Sequence, residues 1–267
     1  MPYRVYPMDT FFYNSIIRYP FEVRCEMASE LGFDATYLTC SSEQSWKDLA
    51  KLRDVKAKYG LDVAAVYGVA DVATPDPKLL NLFETIEGCP AIELAIKSTP
   101  DEAAALKFLD QTLQICDRRN INLFLYPHIN FWLERIQDGV QLCEKLNHQR
   151  LGTMFCGFHW YAIDGKALGT TLAAAKPHLR QVNLSGSRRD PDGLANKATI
   201  EPLDDGEMDN FAIVGELKRL RFTGYVGFQG YSTGGDPYAK LKRSLATFRD
   251  IETRLERHPN WSSELQV

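Results

Sequence analysis

Short β-rich runs alternate with helical patterns along the chain, and this alternation limits what it can fold into more than any other feature. Extended runs fall at residues 3–8, 34–39, 62–67, 91–97, 122–126, 152–156, 181–184 and 225–229. Helical patterns follow them at residues 21–31, 46–59, 77–86, 101–119, 132–146, 165–175, 211–220 and 238–255. Strand, helix, strand is the unit of a parallel sheet, because a parallel partner can be reached only by a crossover. The clearest helix is 101–119, where Ala104, Leu106, Leu109, Leu113 and Cys116 recur at helical spacing. Thr99-Pro100-Asp101-Glu102 supplies a capping hydroxyl, a proline for the first turn and acids for the positive end of the dipole. Gly32, Gly60, Asn120 and Gly224 each stand where a helical pattern gives way to a strand, a place that favours positive φ.

Eight such units suit closure into a single α/β domain spanning residues 1–267, a (β/α)8 TIM barrel; barrels of this kind run to about 250 residues. An open doubly wound sheet would alternate in the same way, but no G-x-G-x-x-G or Walker-type glycine loop follows any strand. Period-two patterns agree with a barrel. Ile92, Leu94 and Ile96 form an apolar set facing the helices, leaving Glu93, Ala95 and Lys97 inward. Val182 and Leu184 alternate with Gln181, Asn183 and Ser185, and Val226 and Phe228 with Tyr225, Gly227 and Gln229. Polar groups are therefore expected to converge on the axis at the C-terminal mouth. The one long connection, 186–208, is of a length usually found in functional or mobile loops.

Composition removes several classes of function. With 45% hydrophobic and 25% charged residues the chain has globular character, and a net charge of −4 with only short basic clusters excludes a nucleic-acid footprint. The first residues lack the apolar core of a signal peptide and no apolar run approaches about 18 residues, so the expectation is a soluble, cytoplasmic protein without a membrane partner. The six cysteines lie at wide spacings with no CxxC pair and read as reduced thiols, with Cys25, Cys116 and Cys143 as small core residues.

Four strand ends carry a resemblance. Leu125-Tyr126-Pro127-His128, Phe155-Cys156-Gly157-Phe158-His159-Trp160, Asn183-Leu184-Ser185-Gly186 and Phe228-Gln229-Gly230-Tyr231 resemble, in order and spacing, the ends of strands five to eight in the xylose-isomerase-like barrels of sugar isomerases, epimerases and related lyases. The resemblance implies a small carbohydrate substrate, proton transfer next to a carbonyl, and pairing into a homodimer. It also implies one divalent ion, manganese or cobalt, held by glutamate, aspartate, histidine and glutamate from those four strands. The matching positions here are Tyr126, Cys156, Asn183 and Gln229. Replacing three carboxylates by neutral groups removes the charge that holds a hard cation. His128, His159 and Cys156 offer an alternative donor set, whose imidazoles and thiol suit zinc.

Each remaining candidate has two readings. His128, past a strand end and after a proline, is a pocket base or a loop histidine. His159 is an acid-base group or a histidine bound to backbone among Phe158 and Trp160. Lys97 is a cation at the mouth or the ion-pair partner of Glu93, and Asp9 at the first strand end has the same status. Asn183 and Gln229 meet substrate hydroxyls or each other. Trp132 and Trp160 are platforms for a sugar ring or packing residues. Arg188 and Arg189 clamp an anionic group or are solvated loop charges, and Lys197 and Glu201 belong with them. Two functions follow: a sugar isomerase, epimerase or lyase with His128, His159 and Lys97 as its titratable groups, or a catalytically inactive barrel that binds a carbohydrate or a partner subunit.

Overall fold

The computed structural model describes residues 2–163 and 165–262. Eight strands, β1 (Val5–Pro7), β2 (Ala35–Thr39), β3 (Asp62–Asp71), β4 (Ala91–Ser98), β5 (Asn122–Leu125), β6 (Leu151–Cys156), β7 (Leu179–Leu184) and β8 (Tyr225–Phe228), form one sheet. Every pair is parallel, in the order β1-β8-β7-β6-β5-β4-β3-β2. β1 and β2 meet at the seam, where carboxylates supplement the backbone. At one end the Val5 amide donates to Asp34 Oδ2 at 2.7 Å and the Asp34 amide to the Val5 carbonyl at 2.9 Å. At the other, the Thr39 amide and hydroxyl donate to the Asp9 carboxylate at 3.0 and 2.6 Å. The sheet thus closes into a (β/α)8 barrel.

Helices α1 (Phe21–Leu31), α2 (Glu43–Asp48), α3 (Val55–Tyr59), α4 (Pro77–Thr85), α5 (Glu102–Arg119), α6 (Ile136–Leu146), α7 (Gly157–Ile163), α8 (Leu168–Ala175), α9 (Asn210–Arg219) and α10 (Pro237–Arg257) surround it. None among the described residues is long and apolar enough to cross a membrane. The outward set, including Val5, Leu38, Ile92, Leu94, Leu123, Val182 and Phe228, joins the helices in one buried core. Cys25, Cys116 and Cys143 lie in that core, and all six thiols are free.

Four local expectations are corrected. The expected helix 46–59 is three pieces, α2, a 3-10 segment Leu49–Asp54 and α3; its second turn is pinned by buried Asp48, which pairs with Arg24 and Lys51. The expected helix 132–146 starts at Ile136, because the Trp132 and Leu133 amides are spent on the carbonyls of Lys97 and Ile96 at the end of β4. Asp101, not Thr99, caps α5: its carboxylate accepts from the Ala104 amide at 2.7 Å, while the Thr99 hydroxyl turns to the Asp101 carbonyl. Positive φ is found at Gly32, Gly60 and Asn120, but at the fourth place it falls on Arg221. Gly224 is needed instead for space, since a Cβ there would stand 2.1 Å from the Arg180 carbonyl oxygen. Within 186–208 a short extended run, Arg189–Leu194, bridges back to Ala198.

Gly227 on β8 points at the axis. A Cβ there would lie 2.2 Å from Asn183 Oδ1 and 2.4 Å from the Tyr6 ring, so glycine is what admits that ring. Gly227→Ala is expected to destabilise the fold by about 1–3 kcal/mol through overpacking, read from the midpoint of denaturant unfolding. An unchanged midpoint would contradict this packing.

Candidate active site

The axis is filled. Tyr6, Tyr37 and Tyr126 are fully or almost fully buried there, and Tyr67 packs with them. Tyr6 stacks on Tyr37 with centroids 5.2 Å apart, and Tyr67 meets Tyr126 edge-on at 4.9 Å. A buried phenol needs a partner, and the polar inward residues supply them. The Tyr6 hydroxyl donates to Asn183 Oδ1 at 2.5 Å and accepts from Gln181 Nε2 at 3.2 Å. The Tyr37 hydroxyl donates to Glu93, Tyr126 is buried in one cluster with Cys156, and the Cys156 thiol donates to Gln229 Oε1 at 3.2 Å. Burial pushes the Glu93 carboxyl up to about 8, against the opposing effect of the Tyr37 bond. At neutral pH Glu93 is therefore mostly a neutral acid. Asn183 meets Tyr6 and Gln229 meets Cys156, so the two amides bond to core side chains and not to each other.

Two histidines lie on the β5 and β6 side of the mouth. Their ring centroids are 4.2 Å apart, and the backbone of Ile129 separates their roles. The Ile129 amide donates to His159 Nδ1 at 3.3 Å, which puts the proton of a neutral His159 on Nε2. The Ile129 carbonyl is 2.8 Å from His128 Nδ1 and can only accept, so His128 carries its proton there and presents a lone pair on Nε2. Burial holds both imidazoles below their usual range, His159 further than His128. His128 is half-buried, stacked on Phe131 at 4.1 Å, whereas His159 is buried. α7, which the sequence pattern does not reveal, starts directly after β6 and turns His159 inward.

The other candidates separate. Lys97 is exposed at the rim, and its charge acts on Asp71; it is not the partner of Glu93, which is sealed in the axis. Asp9 is buried in the seam and pairs with Arg24 at 3.2 Å, so its ion-pair reading holds. Trp160 packs on the core with its ring 5.7 Å from Phe155, which leaves Trp132, exposed on the rim, as the available platform. Arg188 pairs with Glu201, Asp205 and Glu207 at 3.4 to 3.8 Å and is not a free clamp. Arg189 lies over the Tyr161 ring at 4.7 Å, and Lys197 is exposed. Glu93, Tyr6, Tyr37 and Tyr67 belong to the site although the motifs do not point to them; their inward parity on β1 to β4 is the signal that could have found them.

The residues present do not fit the divalent ion of such barrels. Tyr126, Cys156, Asn183 and Gln229 are neutral, buried and engaged with core side chains. In the alternative set both Nδ1 atoms are taken by Ile129, and burial pushes the Cys156 thiol up to about 11. Among the described residues no three histidine, cysteine or acidic side chains converge as a metal site.

The sequence model of the xylose isomerase-like TIM barrel family matches residues 85–251, more than half of the chain. The chain belongs to this family. No curated protein matches its sequence. Solved structures share the fold at low identity. L-ribulose 3-epimerase has a TM-score of 0.77 at 14% identity over 99% of both chains. The 3-keto-D-glucoside 4-epimerase of E. coli has a TM-score of 0.69 at 15% identity, over 93% of this chain and 99% of that one. A xylose isomerase-like TIM barrel protein of Mycobacterium smegmatis, solved in complex with magnesium, has a TM-score of 0.64 at 17% identity, over 94% of this chain and 96% of that one. Against the ligand set expected for the family, this member has a hydrogen-bonded neutral cluster.

Glu93 gives the cluster a pH signature. Its folded-state pKa lies above the ordinary 4.5, so the folded protein keeps a proton that the unfolded chain has lost between about 4.5 and 8. The stability contributed by Glu93 is full below that window and lost as pH rises through it. Glu93→Gln, which cannot ionise, is expected to gain on the native protein in thermal midpoint from pH 5 to pH 9. Parallel curves would refute the assignment.

Proposed function

We propose that the mouth acts on a sugar or keto-sugar derivative by proton transfer next to a carbonyl, without the divalent ion, and that His128 is the base. The observation that carries this reading is the Ile129 backbone, which fixes the His128 proton on Nδ1 and leaves the Nε2 lone pair free. A base with its tautomer already set loses no time or energy in reorienting before it takes a proton. His159 acts as a positioning residue, holding the Ile129 amide that neighbours the carbonyl bound to His128. The similarity in fold to a ribulose 3-epimerase and a keto-glucoside 4-epimerase supports a sugar as the substrate class. One base on one face returns a proton to the side it left, which suits isomerisation between neighbouring carbons better than epimerisation, where a donor must stand opposite.

A second reading, a carbohydrate-binding or partner-subunit barrel without turnover, is favoured by the filled axis, since buried phenols occupy the space over which a substrate would otherwise lie.

Deuterium exchange separates the two. With a panel of ketoses and 3-keto sugars in D2O, the native protein is expected to incorporate label at the carbon next to the carbonyl, and His128→Gln to slow it roughly 100-fold or more. Because burial lowers the His128 pKa, the neutral base persists below pH 6.5, and the rate is expected to fall only on acidification beyond that point. No exchange with any substrate would favour the non-catalytic reading, and exchange unchanged in His128→Gln would overturn His128 as the base.

A further inference from the structure

On the N-terminal face of the barrel, opposite the mouth, bases stand beside acids where β1, β3 and β6 begin. Arg249 pairs with Glu252 at 2.7 Å, Lys56 with Asp62 at 2.9 Å and Arg150 with Asp117 at 2.9 Å. Below β7 and β8 that balance is missing. There the turns that follow α8 and α9 enclose a cleft of 320 Å³, at the lower end of the roughly 300–1,000 Å³ usual for small-molecule sites. Lys176, Arg180 and Arg221 line it and no acid does, and among the described residues none of the three pairs with a carboxylate. The chain as a whole carries a net charge of −4, so this patch does not follow from a basic surface. The C-terminal ends of α8 and α9 bring about half a negative charge each, which leaves a surplus of about two positive charges in the cleft.

The cations are held in place. Arg180 Nη1 donates to the carbonyls of Pro177 and Leu179 at 3.0 and 3.3 Å, and the stem of the side chain crosses Gly152, where a Cβ would stand 2.3 Å from Arg180 Cγ. The Nε and Nη2 donors of this guanidinium are left for a ligand. Arg221 ends α9 at φ 56°, a left-handed conformation that glycine adopts without strain. An arginine there accepts backbone strain and sets a cation at the cleft. The Arg221 and Phe222 amides close the helix on the carbonyls of Lys218 and Leu217, both at 3.0 Å, while the next two amides, of Thr223 and Gly224, donate to no group among the described residues.

We propose that this cleft binds a doubly charged phosphoryl group, free or at the end of a phosphate monoester, with Arg180, Arg221 and Lys176 as its cations and the Thr223 and Gly224 amides as further donors. Guanidinium groups and backbone amides together match the several acceptor oxygens of such an anion. The site lies at the opposite end of the strands from His128, so binding here and turnover at the mouth can fail independently.

The test uses the full chain labelled with 15N, titrated with inorganic phosphate and with phenyl phosphate at constant ionic strength, because salt alone screens exposed charges. Saturable shifts of the Thr223 and Gly224 amides are expected with at least one of the two anions and not with potassium chloride. Tighter binding of the ester would assign the cleft to a larger phosphorylated ligand, and equal or tighter binding of inorganic phosphate to the free ion. Lys176→Gln and Arg221→Gly are each expected to weaken binding by about fivefold or more. Arg221→Gly is also expected to keep or raise the thermal midpoint of the anion-free protein, which separates lost binding from lost folding. No saturable shift of these amides with either anion, shifts that chloride reproduces, or an affinity unchanged in both variants would overturn the proposal.

Discussion

A phenol buried in a barrel axis must give its hydroxyl to a partner, and in this protein that requirement organises the interior. Tyr6 and Tyr37 enter from β1 and β2, and their partners, Asn183 and Glu93, come from β7 and β4, while Tyr126 at the end of β5 packs in one cluster with Cys156 of β6. Losing one partner would strand a buried hydroxyl, a cost of about 1–3 kcal/mol. The side chains at the positions that the resemblance assigns to a cation are buried and bonded to core side chains. Gly227 belongs to the same arrangement, since only a residue without a side chain leaves room for the Tyr6 ring.

What chemistry the mouth retains sits to one side of this network. Ile129 uses both of its backbone groups, the amide on His159 and the carbonyl on His128, so one residue sets two tautomers. Both rings are neutral for the same reason, burial, but only His128 reaches solvent in part. On the opposite side, the Asp9 carboxylate closes the seam and pairs with Arg24. A carboxylate placed at a strand end can thus be held by an ion pair and by the neighbouring strand, as Asp9 is.

The barrel was legible in the sequence because its periodicities are local. Apolar residues at every second position on β4 and at every third or fourth on α5 report directly which face meets the core. The site was legible in part. His128 and His159 could be named from their strand ends, yet the opposite tautomers depend on a backbone contact that no residue pattern encodes. Lys97 and Glu93 share a strand face, but four residues of strand carry one to the rim and leave the other in the axis. Helix boundaries shifted where tertiary hydrogen bonds took amides that a helix would have used, as at Trp132 and Leu133. The inward tyrosines were visible as letters and not as a network, because hydroxyl partners come from strands distant in the chain.

The central claim is that Tyr126, Cys156, Asn183 and Gln229 are neutral, buried side chains engaged with the core and not ligands of a cation. Isothermal titration of the chelator-treated protein with Mn²⁺, Co²⁺ and Zn²⁺, with metal content measured after dialysis, tests it most directly. The account predicts no stoichiometric uptake of any of the three ions. One equivalent of Mn²⁺ or Co²⁺ bound tightly, and lost on Asn183→Ala or Gln229→Ala, would contradict it.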